Sequence, residues 1–197
     1  MSARTVTSRL GGFIADMTRL AERPDLKEPA VLADGKALLS ALVARDDWLP
    51  DEYAEPHPHY YCQYLLYCDP LERFSIVSFV WGPGQTTPIH NHTVWGLIGM
   101  LRGAELSRRY ECGSPMVETG IDRLEPGMID VVSPSVGDIH KVSNAYDDRA
   151  SISIHVYGAN IGAVARNVFD SETGEPRSFV SGYSNRRLPN PWRGENV

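Results

Sequence analysis

At 197 residues the chain is long enough for one well-buried core and short for two, and its 42% hydrophobic and 22% charged residues are ordinary for a globular protein. A net charge of −6 argues against a nucleic-acid footprint, and the Arg186-Arg187 pair is too short to make one; it reads as a solvated tail. No apolar run approaches the ~20 residues of a membrane-spanning helix, the opening Met1-Ser-Ala-Arg-Thr-Val-Thr-Ser-Arg9 is polar with no apolar signal core behind it, and Cys62, Cys68 and Cys112 contain no CxxC pair. The expectation is a cytoplasmic protein with neither membrane nor nucleic-acid partners, each cysteine being a small buried or half-buried apolar residue. Oligomeric state is not legible.

Residues 5–50 read as helical. Leu10, Phe13, Ile14, Met17, Leu20 and Ala21 recur at three- and four-residue steps and form one apolar stripe. Pro24 and Pro29 bracket a break. Val31, Leu32, Leu38, Leu39, Leu42 and Val43 then predict a second amphipathic stretch, interrupted near Gly35, and Trp48-Leu-Pro-Asp-Glu-Tyr53 closes the region. His57 and His59 sit between prolines, which stop regular pairing, and read as loop residues rather than ligands. After Pro58 the run Tyr60–Tyr67 is aromatic and β-prone, with Cys62 facing away from Tyr61 and Gln63. Phe74–Trp81 reads as a buried strand. Short strand-like runs follow, separated by turns at Gly82-Pro-Gly84, Gly113-Ser-Pro115, Glu125-Pro-Gly127, Pro134–Asp138 and Asn144–Asp148. From about Phe169 the tail reads as strand and loop. The pattern predicts a mainly β fold, a small barrel or sandwich, in one domain spanning 1–197: a helical cap over 1–55, then the barrel and tail over about 58–197.

The segment Gly84–Gly103 carries the strongest chemical signal. His90 and His92 stand one residue apart in a run that otherwise reads as strand, so their side chains would share a face. Two such imidazoles need polar partners. A third candidate, His140, follows the turn Pro134-Ser-Val-Gly137-Asp and opens the next strand-like run. Neutral imidazoles suit Fe, Zn, Cu or Ni. A lone histidine is more often a surface or hydrogen-bonded core residue, and the spacing of the pair is what favours a metal.

These segments resemble the two motifs of the cupins, which are small β-barrels of the jelly-roll type. Gly84, His90, His92 and Gly103 fall on the first motif; Pro134, Gly137, His140 and Asn144 follow the second, with one extra residue between Pro and Gly. Gly96 stands where most cupins place a glutamate ligand. The resemblance therefore implies three neutral histidines and no carboxylate. A divalent ion so held keeps its full charge and leaves about three open positions in octahedral geometry. That suits an anionic substrate, a soft thiolate especially, with room for oxygen beside it.

Further along, Ser153-Ile-His155-Val-Tyr157 alternates, placing the three polar residues on one strand face and Ile152, Ile154 and Val156 on the other. Inside a barrel such a face must bond to itself, as a Ser–His–Tyr relay would. The same alternation also fits a strand whose polar face meets water. Ser153 lacks a nucleophile elbow, which excludes a serine hydrolase of that type.

With the motifs, this strand is similar to that of the thiol dioxygenases, the cysteine dioxygenase family, over about Tyr60 to Arg166. The resemblance implies Fe(II) held by His90, His92 and His140, with Ser153, His155 and Tyr157 as the catalytic relay. It implies oxidation of a small thiol to a sulfinic acid by both atoms of O2. Two positions place the chain within the family. Glutamine, in Tyr61-Cys62-Gln63, replaces the arginine that grips the carboxylate in mammalian-type enzymes. Gly96 occupies the place of the cysteine cross-linked to the tyrosine there, so Tyr157 is expected unmodified. Both departures resemble the bacterial group that acts on 3-mercaptopropionate, in which an arginine downstream of the tyrosine helps hold the substrate carboxylate. Arg166 matches it, with Gln63 and Tyr157 beside it as substrate-binding residues. L-Cysteine is the alternative substrate. A non-catalytic metal- or ligand-binding cupin, or one using another metal for isomerisation or ring cleavage, are readings of other classes. Trp81 and Trp95 either wall the pocket or pack beneath it.

Overall fold

A computed structural model describes residues 8–191. The polar opening at 1–7, including the first residues of the expected helical region, and the end of the tail at 192–197 lie outside the described residues. Helix α1 runs from Arg9 to Ala21. Ser8 caps it, its Oγ accepting the Gly11 N–H at 3.0 Å. The predicted stripe Leu10, Phe13, Ile14, Met17 and Leu20 is its buried face. Helix α2 spans Glu28–Val43, with Pro29 in the first turn, where its missing N–H costs no hydrogen bond. It runs through Gly35 without the expected interruption. A Cβ there would lie 2.8 Å from Leu97 Cδ1, so the glycine permits close approach of helix and sheet rather than breaking the helix.

Apart from loops and short 3-10 turns at Asp51–Tyr53 and Ile161–Ala163, the remaining elements are strands: β1 (Cys62–Cys68), β2 (Ser75–Trp81), β3 (Ile89–His90), β4 (Gly96–Arg102), β5 (Glu105–Glu111), β6 (Val117–Leu124), β7 (Ile129–Val132), β8 (His140–Asn144), β9 (Ser151–Tyr157), β10 (Arg166–Phe169) and β11 (Pro176–Phe179). One sheet has the order β1-β2-β9-β4-β7, the other β11-β10-β3-β8-β5-β6, and every strand pairing is antiparallel. The fold is mainly β and cupin-like: a small barrel of two facing sheets, with two helices outside.

The first sheet is covered on both faces, and this explains why β2 and β9 are buried along their whole length. Outside, Leu97, Leu101, Ile152, Ile154 and Val156 join Phe13, Met17, Leu39 and Leu42 of the helices in the main core. Inside, Val77, Phe79, Trp81 and Tyr157 meet Val142 of the opposite sheet. The strand alternation therefore sends Ser153, His155 and Tyr157 into the barrel and not to water. Of the cysteines, Cys62 is buried in the outer core and Cys68 half-buried, but Cys112 is exposed, against expectation: it follows β5 at a turn, where no second layer covers it. No helix among the described residues is long and apolar enough to cross a membrane.

Candidate metal centre and its pocket

His90 and His140 are cross-strand partners in the β3–β8 pair. His92 reaches the same point differently from the sequence expectation: β3 ends at His90, so the two histidines do not share a strand. The chain turns at Thr93, which has φ +61, an uncommon conformation for a β-branched residue. Asp138 holds the turn. Its carboxylate accepts the backbone N–H groups of His92 (3.0 Å) and Thr93 (2.8 Å). The imidazole centroids form a nearly equilateral triangle with sides of 4.9, 4.8 and 4.9 Å.

Each ring is fixed through Nδ1. His90 Nδ1 donates to the Pro88 carbonyl at 3.0 Å, His92 Nδ1 to Asp138 Oδ1 at 3.0 Å, and His140 Nδ1 lies 3.3 Å from Ser107 Oγ. A carbonyl and a carboxylate only accept, so in the neutral form of His90 and His92 the bare nitrogen is Nε2. The candidate ligand atoms of the three residues lie within 4.8 Å of one another, and the group could hold a metal ion. Burial, followed by the neighbouring His92, pushes His90 down to about 3; burial and the other two rings hold His140 well below the usual histidine range. Both are thus neutral near pH 7, the form that ligates. The donor set fits a divalent transition ion.

Gly96 pairs with Tyr157 across β4–β9. A Cβ at 96 would lie 2.9 Å from two Tyr157 ring carbons and from Val132 Cγ2. The Tyr157 ring therefore fills the space that a side chain at 96 would need, and it stacks on His92 with centroids 5.4 Å apart.

The polar face of β9 is bonded end to end. Ser153 Oγ is 2.8 Å from His155 Nε2, and His155 Nδ1 is 2.8 Å from Tyr157 Oη. All three residues are buried. Burial lifts the Tyr157 phenol well above its usual range and drops His155 well below its own, so both are neutral near pH 7.

Tyr157 and His90 open onto a cavity of about 230 Å³, also lined by Tyr61, Gln63, Phe79, Val168, Phe179 and Arg166. Arg166 opens β10 and is only 4% exposed. Its Nη2 donates to Ser181 Oγ at 2.6 Å, and its guanidinium lies 4.7 Å from the Phe179 ring centroid. Its Nε has no partner, the one such buried side-chain nitrogen or oxygen among the described residues. Burial lowers its affinity for the proton, though the shift starts from so high a value that the group stays charged. Gln63 is half-buried at the cavity wall, where only its backbone is bonded, to Ser184.

Trp81 packs behind the pocket, its Nε1 donating to Ser153 Oγ at 3.3 Å. Trp95 lies on the other side of the sheet, in a recess of about 530 Å³ beside Met17, Leu20 and Phe74 that is larger than the histidine pocket but lacks its chemistry. His57 and His59 are in the loop before β1, apart from the cluster; His57 stacks on Tyr60 and meets His59 edge-on. Asn144 ties strands together, its Nδ2 donating to the carbonyls of Trp81, Gly82 and Arg149. Sequence reasoning missed Asp138, Ser107, Glu105, Phe179 and Ser181. For Asp138 there was a signal, an acid two residues before a candidate ligand; for the others only the packing of elements distant in sequence reveals the contact.

No family model matches the chain. Among solved structures, it is similar to a protein with a double-stranded beta-helix domain from Klebsiella pneumoniae subsp. pneumoniae MGH 78578, with 18% identity, TM-score 0.47, covering 60% of this chain and 95% of that one. A protein from Thermus thermophilus matches with 20% identity and TM-score 0.45 over 55% and 92% of the two chains. A cupin superfamily protein from Desulfitobacterium hafniense DCB-2 matches with 14% identity and TM-score 0.44 over 59% and 94%. These likenesses are distant, and the fold stands on the strand order and register given above.

Proposed function

We propose that this chain is an iron-dependent thiol dioxygenase whose substrate is a small thiol carboxylate, 3-mercaptopropionate, and whose product is 3-sulfinopropionate. The observation that carries the reading is the meeting, on one cavity of about 230 Å³, of His90 from the three-histidine group, the Tyr157 end of a buried relay, and a buried arginine with an unpaired Nε. A buried cation with a vacant donor favours an anion beside it. Arg166 forms no ion pair with a carboxylate among the described residues, so the substrate can supply that partner.

His90, His92 and His140 would hold Fe(II), which supplies the redox chemistry that joins both atoms of O2 to sulfur with no external reductant. The chain does the rest. Arg166 grips the carboxylate through its planar fork, kept in aim by Ser181 and Phe179. Gln63 adds an uncharged amide at the wall. Phe79, Phe179 and Val168 exclude water from the reacting sulfur. Tyr157, neutral and hydrogen-bonded to His155, presents its hydroxyl to the pocket. No acidic side chain among the described residues lines this cavity, so the ammonium of cysteine finds no counter-charge there. L-Cysteine is accordingly the slower substrate.

The test compares sulfinate formation from the two thiols by iron-loaded protein. A higher kcat/KM for 3-mercaptopropionate is expected; a higher value for cysteine overturns the substrate choice.

A further inference from the structure

Glu105, the first residue of β5, is 1% exposed, yet no arginine or lysine among the described residues pairs with it. Asp69 is almost as deeply buried, but Arg73 holds it through two hydrogen bonds of 2.7 and 2.8 Å. A buried carboxylate without a cation is costly, and the side chain that meets this one is Ser153, whose Oγ donates to Glu105 Oε2 at 2.9 Å. The relay of β9 therefore has a fourth member.

Donor and acceptor chemistry gives this contact a consequence. In its ionised form the Glu105 carboxylate only accepts, and the Trp81 indole only donates. The single Ser153 hydroxyl proton thus points at Glu105, while its lone pairs accept from Trp81 Nε1 and from His155 Nε2. A neutral imidazole protonated on Nε2 is bare at Nδ1, and there it accepts the Tyr157 hydroxyl proton. We propose that Glu105 is a positioning residue that fixes the direction of every hydrogen bond from Tyr157 to Ser153, making Glu105 the resting place for a proton that leaves Tyr157.

The transfer balances. As Tyr157 Oη takes a proton from the substrate thiol, its own proton passes to His155 Nδ1. The Nε2 proton passes to Ser153 Oγ, and the Ser153 proton to Glu105 Oε2. Each bond to hydrogen that breaks is replaced by one that forms, the substrate becomes a thiolate, Glu105 ends neutral, and no electrons are exchanged. Burial supports the role by lifting the Glu105 carboxyl to about 7, closer to the range in which thiols ionise. The identity of the proton donor rests on the proposed function; the direction of the relay does not.

The direction is read by ¹⁵N NMR of the His155 ring in metal-free protein in alkaline buffer. The native protein should show the Nε2–H tautomer alone. In Glu105→Gln, an amide can donate to Ser153 and turn its hydroxyl towards His155, so the Nδ1–H tautomer should appear. An Nδ1–H ring in the native protein, or an unchanged tautomer in Glu105→Gln, overturns the proposal; the native spectrum decides alone if the variant does not fold. In iron-loaded Glu105→Gln, kcat should fall by about 10²-fold with KM for 3-mercaptopropionate unchanged. A protein that oxidises no thiol but shows the expected tautomers refutes the proposed function and supports the direction of the relay.

Discussion

Replacing Arg166 by methionine removes the charge and fork of the side chain while keeping an unbranched apolar body against Phe179. In the free protein this deletes a buried cation that is 4% exposed, has an unpaired Nε and is matched by no carboxylate among the described residues. Such a deletion costs little and can stabilise, so Tm should hold or rise. With substrate bound the balance reverses. Each hydrogen bond to a charged partner contributes about 1.5–3 kcal/mol, and a carboxylate on a guanidinium fork makes two, so about 3–6 kcal/mol is lost. At about 1.4 kcal/mol per tenfold, kcat/KM for 3-mercaptopropionate should fall by about 10²- to 10⁴-fold. Oxygen uptake is measured with this thiol and with 2-mercaptoethanol, which has a hydroxyl in place of the carboxylate. The loss should be confined to the former. An equal loss on both thiols, or a loss under about tenfold on the first, refutes the assignment of Arg166 to the carboxylate.

Gly96→Ala places a methyl 2.9 Å from the Tyr157 ring, so about 1–3 kcal/mol of stability should be lost and Tyr157 displaced. Activity should then fall while bound iron, measured per chain, stays near native; full activity contradicts the packing. Asp138→Ala frees the His92 ring and the turn at Thr93, and competition with a chelator should show iron binding weakened by about 10- to 100-fold. The stability of metal-free protein should fall in acid. His90, His140 and His155 have folded values below the usual 6.5, so the unfolded chain binds more protons as pH drops below 6.5, and stability present above 6.5 is lost down towards about 3. Each histidine contributes up to about 1.4 kcal/mol per pH unit. Glu105, raised from 4.5 to about 7, works in the opposite sense between those values and cancels about one of them there. Urea unfolding across this range reads the net slope; a flat profile counts against neutral buried rings.

The barrel was legible because strand alternation and turn residues are local signals, and the three histidines because motif spacing survives in the linear chain. What the sequence concealed depends on neighbours distant along it. Gly35 reads as a helix interruption on propensity, and only the approach of Leu97 shows why the helix continues through it. His90-x-His92 reads as one strand face, whereas the turn clamped by Asp138, 46 residues away from His92, delivers the second imidazole. Ser153, His155 and Tyr157 left two readings open, a relay or a wetted face, until the helices were found covering the opposite side of the sheet. Glu105 meets Ser153 across 48 positions of sequence, and no local pattern marks that encounter.

The central claim is tested most directly by loading the protein with Fe(II), adding 3-mercaptopropionate, and measuring oxygen consumed against sulfinate formed. One molecule of 3-sulfinopropionate per molecule of O2, abolished in His140→Ala together with iron binding, is the predicted result. Iron held by the native protein with no thiol-dependent oxygen uptake would contradict it and leave a metal-binding barrel without this chemistry.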